Sequence, residues 1–139
     1  LVGGEAVVYL NPALAARATY ARKMVTQLPS KMRFIAAQFN ALLHDDLWIT
    51  LARGSNAMAT RLYDATRDIP GVVFDGAPVV NSLFAVLPAE VIEPLRAWSF
   101  FWDWDVSRRQ VRWMTAWDTT EDDVQQFAAG VRHALRGNS

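Results

Sequence analysis

Hydrophobic positions in the first half of the chain recur at helical spacing. Asn11-Pro12 predicts a helix start, because asparagine caps helices and proline is tolerated at their first position, and this helix is expected to run to about Gln27. Ser30 is expected to cap a second helix, and the acidic pair Asp45-Asp46 to open a third that ends near Asp68. The apolar residues of the second and third helices share one face of each: Met32, Ile35, Phe39 and Leu42, then Leu47, Leu51, Met58 and Leu62.

The second half of the chain alternates short strand-like runs with helices. Helices are expected from Pro88 to about Ala97 and onward from the capping box at Thr119–Asp123. The predicted strands are Ala6–Leu10 near the start of the chain, then Val72–Phe74, Ser82–Leu87, Trp98–Trp104 and Gln110–Thr115. This order predicts an α+β fold, in which connecting helices are followed by a small, mostly antiparallel sheet with helices packed on one face.

Composition excludes several classes of function. Of the 139 residues, 52% are hydrophobic and 20% charged, which is typical of a folded domain. Fourteen basic residues balance fourteen acidic ones without a basic run, so nucleic acid and anionic membrane are disfavoured as partners. No apolar stretch reaches the ~20 residues that a membrane-spanning helix needs. The absence of cysteine excludes disulfides and thiolate chemistry, and it is compatible with a reducing cytoplasm. Because the chain opens without methionine, inside a predicted strand, we expect it to be a truncated piece.

Arg112 is the first candidate for chemistry. It lies within the strand-like run Val111–Thr115, where alternate residues point to opposite faces of a sheet. A guanidinium in that position meets either solvent or an anion, and arginine can hold a carboxylate through two parallel hydrogen bonds. From the residues alone, a solvated sheet face is the simpler interpretation.

Aromatic residues are concentrated between Trp98 and Asp105. Strand aromatics can stack on single-stranded nucleic acid, but such surfaces have basic neighbours, whereas Asp103 and Asp105 would repel phosphate. Packing in a core or an interface therefore explains the run better. If the chain leaves these aromatic side chains uncovered, a further domain or a partner subunit is expected to cover them.

Other candidates for a site are weak. His44 and His133 have no metal ligand at a suitable spacing, so no metal site is predicted, and His44-Asp45-Asp46 is typical of a solvated helix junction. The basic residues Lys23 and Arg33 flank the break at Pro29. They fit surface charge near helix ends or, alternatively, an anion-binding subunit boundary.

Taken together, six segments of the chain resemble the threonine aldolase family, whose members are fold-type I enzymes dependent on pyridoxal 5'-phosphate (PLP). The resemblance is found in the order and spacing of these segments: Val2–Val8, Arg22–Met24 with Met32-Arg33, Asn81–Phe84, Val111–Thr115 and Trp117-Asp118. It implies that residues 1–68 are the end of a large domain with connecting helices. It also implies that residues 69–139 are the small C-terminal α+β domain.

The resemblance further implies roles for particular residues. Arg112 matches the arginine that binds the α-carboxylate of the substrate. Lys23 and Arg33 match basic positions near the cofactor or the subunit boundary, and Asn81 matches the start of a small-domain strand. The lysine that forms the Schiff base with PLP is expected a few residues before Val2, so this chain alone is expected to be inactive.

The implied whole enzyme is a lyase of amino acid metabolism. It would cleave threonine and related β-hydroxy-α-amino acids to glycine and an aldehyde, as a cytoplasmic homo-oligomer that binds neither nucleic acid nor membrane. Two alternatives remain open at this point. One is another fold-type I PLP enzyme, a β-eliminating lyase or an aminotransferase; the other is a non-catalytic α+β interaction module.

Overall fold

The computed structural model of the chain describes residues 4–137. The helices are α1 (Pro12–Met24), α2 (Met32–Leu43), α3 (Leu47–Thr66), α4 (Ala89–Trp98) and α5 (Glu121–Arg136). The strands are β1 (Val73–Phe74), β2 (Ser82–Val86), β3 (Trp102–Asp105) and β4 (Gln110–Met114). Single 3₁₀ turns occur at His44–Asp46 and Val106–Arg108. The chain forms two compact units, the first ending at Trp48 and the second beginning at Ile49.

Helices α1 and α2 make up most of the first unit. The predicted start of α1 is confirmed, since Asn11 Oδ1 accepts the backbone N–H of Ala13 at 2.9 Å. The predicted cap of the second helix is wrong: α2 begins at Met32, and Lys31 precedes it without a side-chain hydrogen bond. Neither helix contains a buried residue.

The predicted strand Ala6–Leu10 does not form, and the segment has no regular structure. Its apolar side chains lie in the open, with Val7, Val8 and Leu10 73%, 78% and 92% exposed. A strand needs a neighbour for its N–H and C=O groups, and the described residues of this unit offer none. Val2 and Gly3, which belong to the same motif, lie outside the described residues.

The second unit is built on a four-stranded antiparallel sheet with the order β1-β2-β4-β3. One face of the sheet is covered by helices. On that face Leu83 and Ala85 of β2 and Val111 and Trp113 of β4 are buried. They pack with residues of α3, α4 and α5 in one core: Ala59, Leu62, Val91, Leu95, Val124 and Val131. The α+β architecture with helices on one face is therefore confirmed.

The ends of the elements in this unit have identifiable causes. Helix α5 begins with the predicted capping box, in which Thr120 and Asp123 bond each other's backbone N–H. The predicted strand from Trp98 is wrong in its first part, because α4 continues through Trp98 and β3 begins only at Trp102. The Trp98 ring lies over Gly130 and stacks with Phe127 at 6.0 Å, which holds it on α5. Within residues 4–137 no helix is long and apolar enough to cross a membrane.

Candidate functional site

Arg112 lies in the middle of β4, on the sheet face that the helices leave uncovered. Its neighbours Val111 and Trp113 point into the core, so the pleat of the strand directs Arg112 to the other side. In the antiparallel register it pairs with Phe84 of β2 and with Trp102 of β3. Arg112 thus lies in a strand between two others rather than on a loop, and the pairing of β4 with β2 and β3 fixes the position of its backbone.

The Arg112 guanidinium has no hydrogen-bonding partner among residues 4–137. Its Nε is buried and unbonded, and the side chain is half-buried. Two other arginines beside the sheet differ: Arg108 bonds Asp75 at 2.8 Å, and Arg96 is paired with Glu93 and Asp103. The Nε of Arg96 is also buried and unbonded, but its two terminal nitrogens have carboxylate partners. Arg112 therefore combines desolvation with an unpaired charge, which is costly unless an anion completes the site.

Aromatic side chains surround Arg112. The guanidinium carbon lies 5.5 Å from the centre of the Trp104 ring, within the range of a cation–π contact. The Phe84 ring lies against Trp104, with 4.9 Å between their centroids. Trp102 and Trp104 remain 62% and 57% exposed, and Phe100 next to them is 67% exposed. The aromatic run is therefore partly uncovered in the described residues, and the Arg112 guanidinium lies beside its exposed rings.

A cleft of about 370 Å³ borders this region within the second unit. Its apolar wall is formed mainly by Leu62, Phe101, Trp113 and Phe127, and Arg112 contributes to its lining. Polar groups enter from Thr115, Thr119 and Asp123. The buried Nε1 of Trp113 has no hydrogen-bond acceptor. The cleft is thus lined mostly by apolar residues.

The carboxylates around the sheet have structural partners. The Arg108 guanidinium, followed by the Gln110 amide at 3.0 Å, lowers the pKa of Asp75. The Ser107 hydroxyl at 2.6 Å and the backbone N–H of Arg108 lower the pKa of Asp105. The Thr120 hydroxyl at 2.6 Å lowers the pKa of Asp123 within the capping box. All three are held ionised, which suits anchoring a fold and not donating a proton.

The other predicted residues lie apart from Arg112 in the chain. Lys23, in the last turn of α1, and Arg33, in the first turn of α2, are both exposed and belong to the first unit. The Arg33 guanidinium lies 4.9 Å from the centre of the Phe34 ring. Their neighbour Arg22 is engaged locally, donating to the Gln27 carbonyl at 2.7 Å. Neither compact unit by itself brings these two cations and Arg112 into one site.

Asn81 has a structural role. Its Nδ2 donates to the Thr115 carbonyl at 2.7 Å, and its own carbonyl accepts the Thr115 N–H at 3.0 Å. The buried Thr115 hydroxyl in turn donates to the Ser55 carbonyl of α3 at 2.7 Å. These bonds join the start of β2, the end of β4 and α3 behind Arg112. The sequence did not predict Phe84 and Trp104 as neighbours of Arg112.

No metal site is found in the part of the chain that the structure describes, where no three His, Asp or Glu side chains are grouped to hold an ion. The arrangement around Arg112 has one clear chemical capacity, which is to bind an anion. A guanidinium with its donors unused, bordered by aromatic rings, can hold a carboxylate through two parallel hydrogen bonds in a setting of reduced water access.

Comparison with known proteins gives consistent results in sequence and in fold. No family model matches the chain. It is 36% identical over 131 residues to a low specificity L-threonine aldolase of Pseudomonas aeruginosa and 35% identical over 134 residues to one of a Pseudomonas species. These alignments cover 93% and 95% of the chain but only 37% and 38% of the relatives. In fold it is similar to a Leishmania major threonine aldolase, with a TM-score of 0.76, 26% identity, and coverage of 90% of this chain and 37% of that one.

Proposed function

We propose that this chain, which corresponds in sequence and fold to the C-terminal portion of threonine aldolases, is part of a PLP-dependent lyase. The whole enzyme would cleave threonine and related β-hydroxy-α-amino acids to glycine and an aldehyde. The chain spans about 37% of the length of the curated relatives that it matches. The observation within the chain that carries the proposal is Arg112, a half-buried cation with unused donors on an uncovered sheet face.

The proposed role of Arg112 is to bind the substrate α-carboxylate. Two parallel hydrogen bonds from a planar guanidinium fix both the position and the plane of a carboxylate. Fixing that group orients the other substituents of the substrate Cα, including the bond that breaks. A lysine ammonium would attract the carboxylate but leave it free to rotate, so lysine would replace arginine poorly.

The cofactor would supply an electron sink for the carbanion formed at Cα. The residues of this chain fit a supporting role toward it. The chain contains two lysines, Lys23 and Lys31, and both are exposed, whereas a lysine that acts as a nucleophile is normally activated by desolvation or by a neighbouring cation. The exposed charges of Lys23 and Arg33 fit contact with a phosphate or with a partner subunit. We therefore propose that another part of the enzyme provides the Schiff-base lysine.

The proposed domain division places residues 1–68 at the end of a large domain with its connecting helices, and residues 69–139 in the small C-terminal domain. The similarity to about 37% of the length of the threonine aldolases is in keeping with a chain that holds only part of such an enzyme. The boundary between the compact units lies earlier in the chain, between Trp48 and Ile49, so nearly all of α3 belongs to the unit that contains the sheet. Its residues Ala59 and Leu62 lie in the same core as the strands, which explains that assignment.

We also propose that the whole enzyme is a homo-oligomer acting in the cytoplasm. Large apolar side chains of the first unit are exposed, with Leu14, Tyr20 and Met24 of α1 at 62%, 76% and 83%. Isolated exposed apolar residues are common, but a helix without any buried residue gains its stability from something that covers it. The absence of cysteine suits a reducing compartment.

The proposal is tested on the complete protein that contains this chain. Incubation with PLP is expected to give a visible Schiff-base absorption that borohydride removes, and addition of threonine is expected to release glycine and an aldehyde. Ammonia and a keto acid as products would instead indicate a β-eliminating lyase, and transfer of the amino group to an added keto acid would indicate an aminotransferase. Failure to form a Schiff base would contradict the proposal.

The Arg112→Ala variant tests the role of the guanidinium. Loss of two charge-assisted hydrogen bonds costs about 3 kcal/mol, so kcat/KM for threonine is expected to fall roughly 100-fold. The Arg112→Lys variant keeps the charge but loses the planar fork, and it is expected to recover only part of this loss. If kcat/KM of Arg112→Ala stayed within a few-fold of the wild type, the carboxylate role would be wrong.

A further inference from the structure

A β-bulge in β3 lies directly beside Arg112. Asp103 pairs with Val111 and Asp105 pairs with Gln110, so two steps along β3 correspond to one step along β4. Trp104 is the extra residue. A bulge bends the strand and redirects the side chain of its additional residue, and such irregularities are common next to functional sites. Here the redirected side chain is the one that lies over the Arg112 guanidinium.

The bulge is held on both sides. Before it, Asp103 forms an ion pair with Arg96 of α4. After it, Asp105 Oδ1 accepts the Ser107 hydroxyl at 2.6 Å and the Arg108 N–H at 3.2 Å. The Trp104 ring is also supported from its own sheet face, because Phe84 lies 4.9 Å away on β2. The indole is thus fixed through its backbone and through a neighbouring ring.

We propose that Trp104 is a positioning residue that holds the Arg112 guanidinium in place for the substrate carboxylate; this inference rests on the proposed function. The face of an aromatic ring attracts a guanidinium, but it does not accept hydrogen bonds from the in-plane N–H groups as a carboxylate does. Trp104 therefore restrains the cation and leaves its donors for a ligand. A carboxylate at the position of Trp104 would form an ion pair with Arg112 and compete with the substrate.

The test uses the complete enzyme and four single variants: Trp104→Ala, Trp104→Phe, Arg112→Ala and the control Trp102→Ala. Trp102 lies on the same strand and the same sheet face, with similar exposure, and is the register partner of Arg112, but its ring packs edge-on against Phe100, whereas the guanidinium lies over the Trp104 ring. Trp104→Ala is expected to raise KM for threonine about tenfold with a smaller change in kcat, because a less restrained guanidinium binds the carboxylate more weakly. Trp104→Phe keeps an aromatic face and is expected to restore KM to within about threefold of the wild type.

The decisive measurement is the double-mutant cycle with Arg112→Ala. In the Arg112→Ala background, Trp104→Ala is expected to change kcat/KM less than about twofold. The effect of Trp102→Ala is expected to depend less on the presence of Arg112 than the effect of Trp104→Ala does. Equal losses from Trp104→Ala in both backgrounds would show a role independent of Arg112 and overturn the positioning role while leaving the proposed function intact. Normal activity of Arg112→Ala itself would overturn both.

Discussion

At the scale of single residues, the interaction partner of each arginine distinguishes side chains that anchor the fold from side chains that could bind a ligand. Arg96 and Arg108 have carboxylate partners: the first pair joins α4 to β3, and the second joins the residue after β1 to the turn after β3. Among residues 4–137 the Arg112 guanidinium has no carboxylate partner and lies over the Trp104 ring. An arginine whose terminal nitrogens already bond carboxylates, as in Arg96, contributes to the fold, while Arg112, whose guanidinium has no hydrogen-bond partner among residues 4–137, is available to a ligand that brings its own negative charge. This contrast is visible without any reference to related proteins.

Asp75 carries a prediction about stability and pH. Its carboxylate accepts hydrogen bonds from Arg108 and Gln110, which lower its pKa below the ordinary 3.8. A group with a lowered pKa stabilises the folded state above its ordinary pKa, and this contribution disappears as the pH falls through the folded-state pKa. Asp75→Asn is therefore expected to lower the urea midpoint at pH 7 and to differ progressively less from the wild type below about pH 4.

The matched control for Asp75→Asn is Asp118→Asn, since Asp118 is exposed and the described structure gives it no ion pair or hydrogen bond. Urea titrations between pH 2 and pH 7 on all three proteins make the comparison. A constant difference between Asp75→Asn and the wild type across this range would contradict a contribution from the ionised carboxylate.

At the scale of elements, sequence signals succeeded at two helix starts that local chemistry decides and failed at Ser30, which does not cap α2. Asn11-Pro12 and the Thr120–Asp123 capping box correctly located two helix starts, because a cap needs only the residues beside it. Trp98 and the segment Ala6–Leu10 were misjudged as strand. Trp98 ends a helix because it packs on Gly130, 32 positions further along the chain, and a strand-like run without a pairing partner stays irregular.

The candidate site, too, could be predicted only in part from the sequence. Alternation along Val111–Thr115 was enough to predict that Arg112 faces away from Val111, and the resemblance to threonine aldolases was needed to predict a ligand for it. The bulge at Trp104 was not predictable, because it depends on how β3 aligns with β4 and leaves no periodicity in the sequence. Arg112 could therefore be found from the sequence, whereas its contact with Trp104 required the structure.

Two glycines within helices give a prediction for element stability. Gly54 in α3 has nothing within 4 Å of the position of an added Cβ, whereas at Gly130 in α5 that atom would lie 2.4 Å from Trp98 Cζ3. Alanine is favoured over glycine in a helix by about 0.5–1 kcal/mol. Gly54→Ala is therefore expected to raise the melting temperature, while Gly130→Ala is expected to lower it because the Trp98 ring must move off Phe127.

The two glycine substitutions share the same helix-propensity gain, so each serves as the control for the other. Melting curves measure the difference, and tryptophan fluorescence of Gly130→Ala reports whether the Trp98 environment has changed. Equal stabilisation by both substitutions would mean that Trp98 is displaced at no cost and does not fix the end of α4.

At the scale of the whole molecule, each unit leaves apolar surface uncovered. In the first unit the helices bury no residue, and in the second the free sheet face carries Trp102, Trp104 and Met114, all more than half exposed. The core of the second unit is otherwise closed, with Val111, Ala85 and Ala128 fully buried. A chain that encloses one core and leaves two apolar surfaces open has the pattern expected for part of a larger assembly.

The 139-residue chain alone is therefore expected to bind a hydrophobic dye and to self-associate as its concentration rises in sedimentation velocity. Leu14→Lys places a charge on the open surface of α1 and is expected to weaken association, because removing an exposed apolar side chain reduces the area that association can bury. Ala16→Lys adds the same charge two positions away but removes only a methyl group, so its effect is expected to be smaller. A chain that stays monomeric at every concentration and binds no dye would favour the non-catalytic interaction module over a portion of an aldolase.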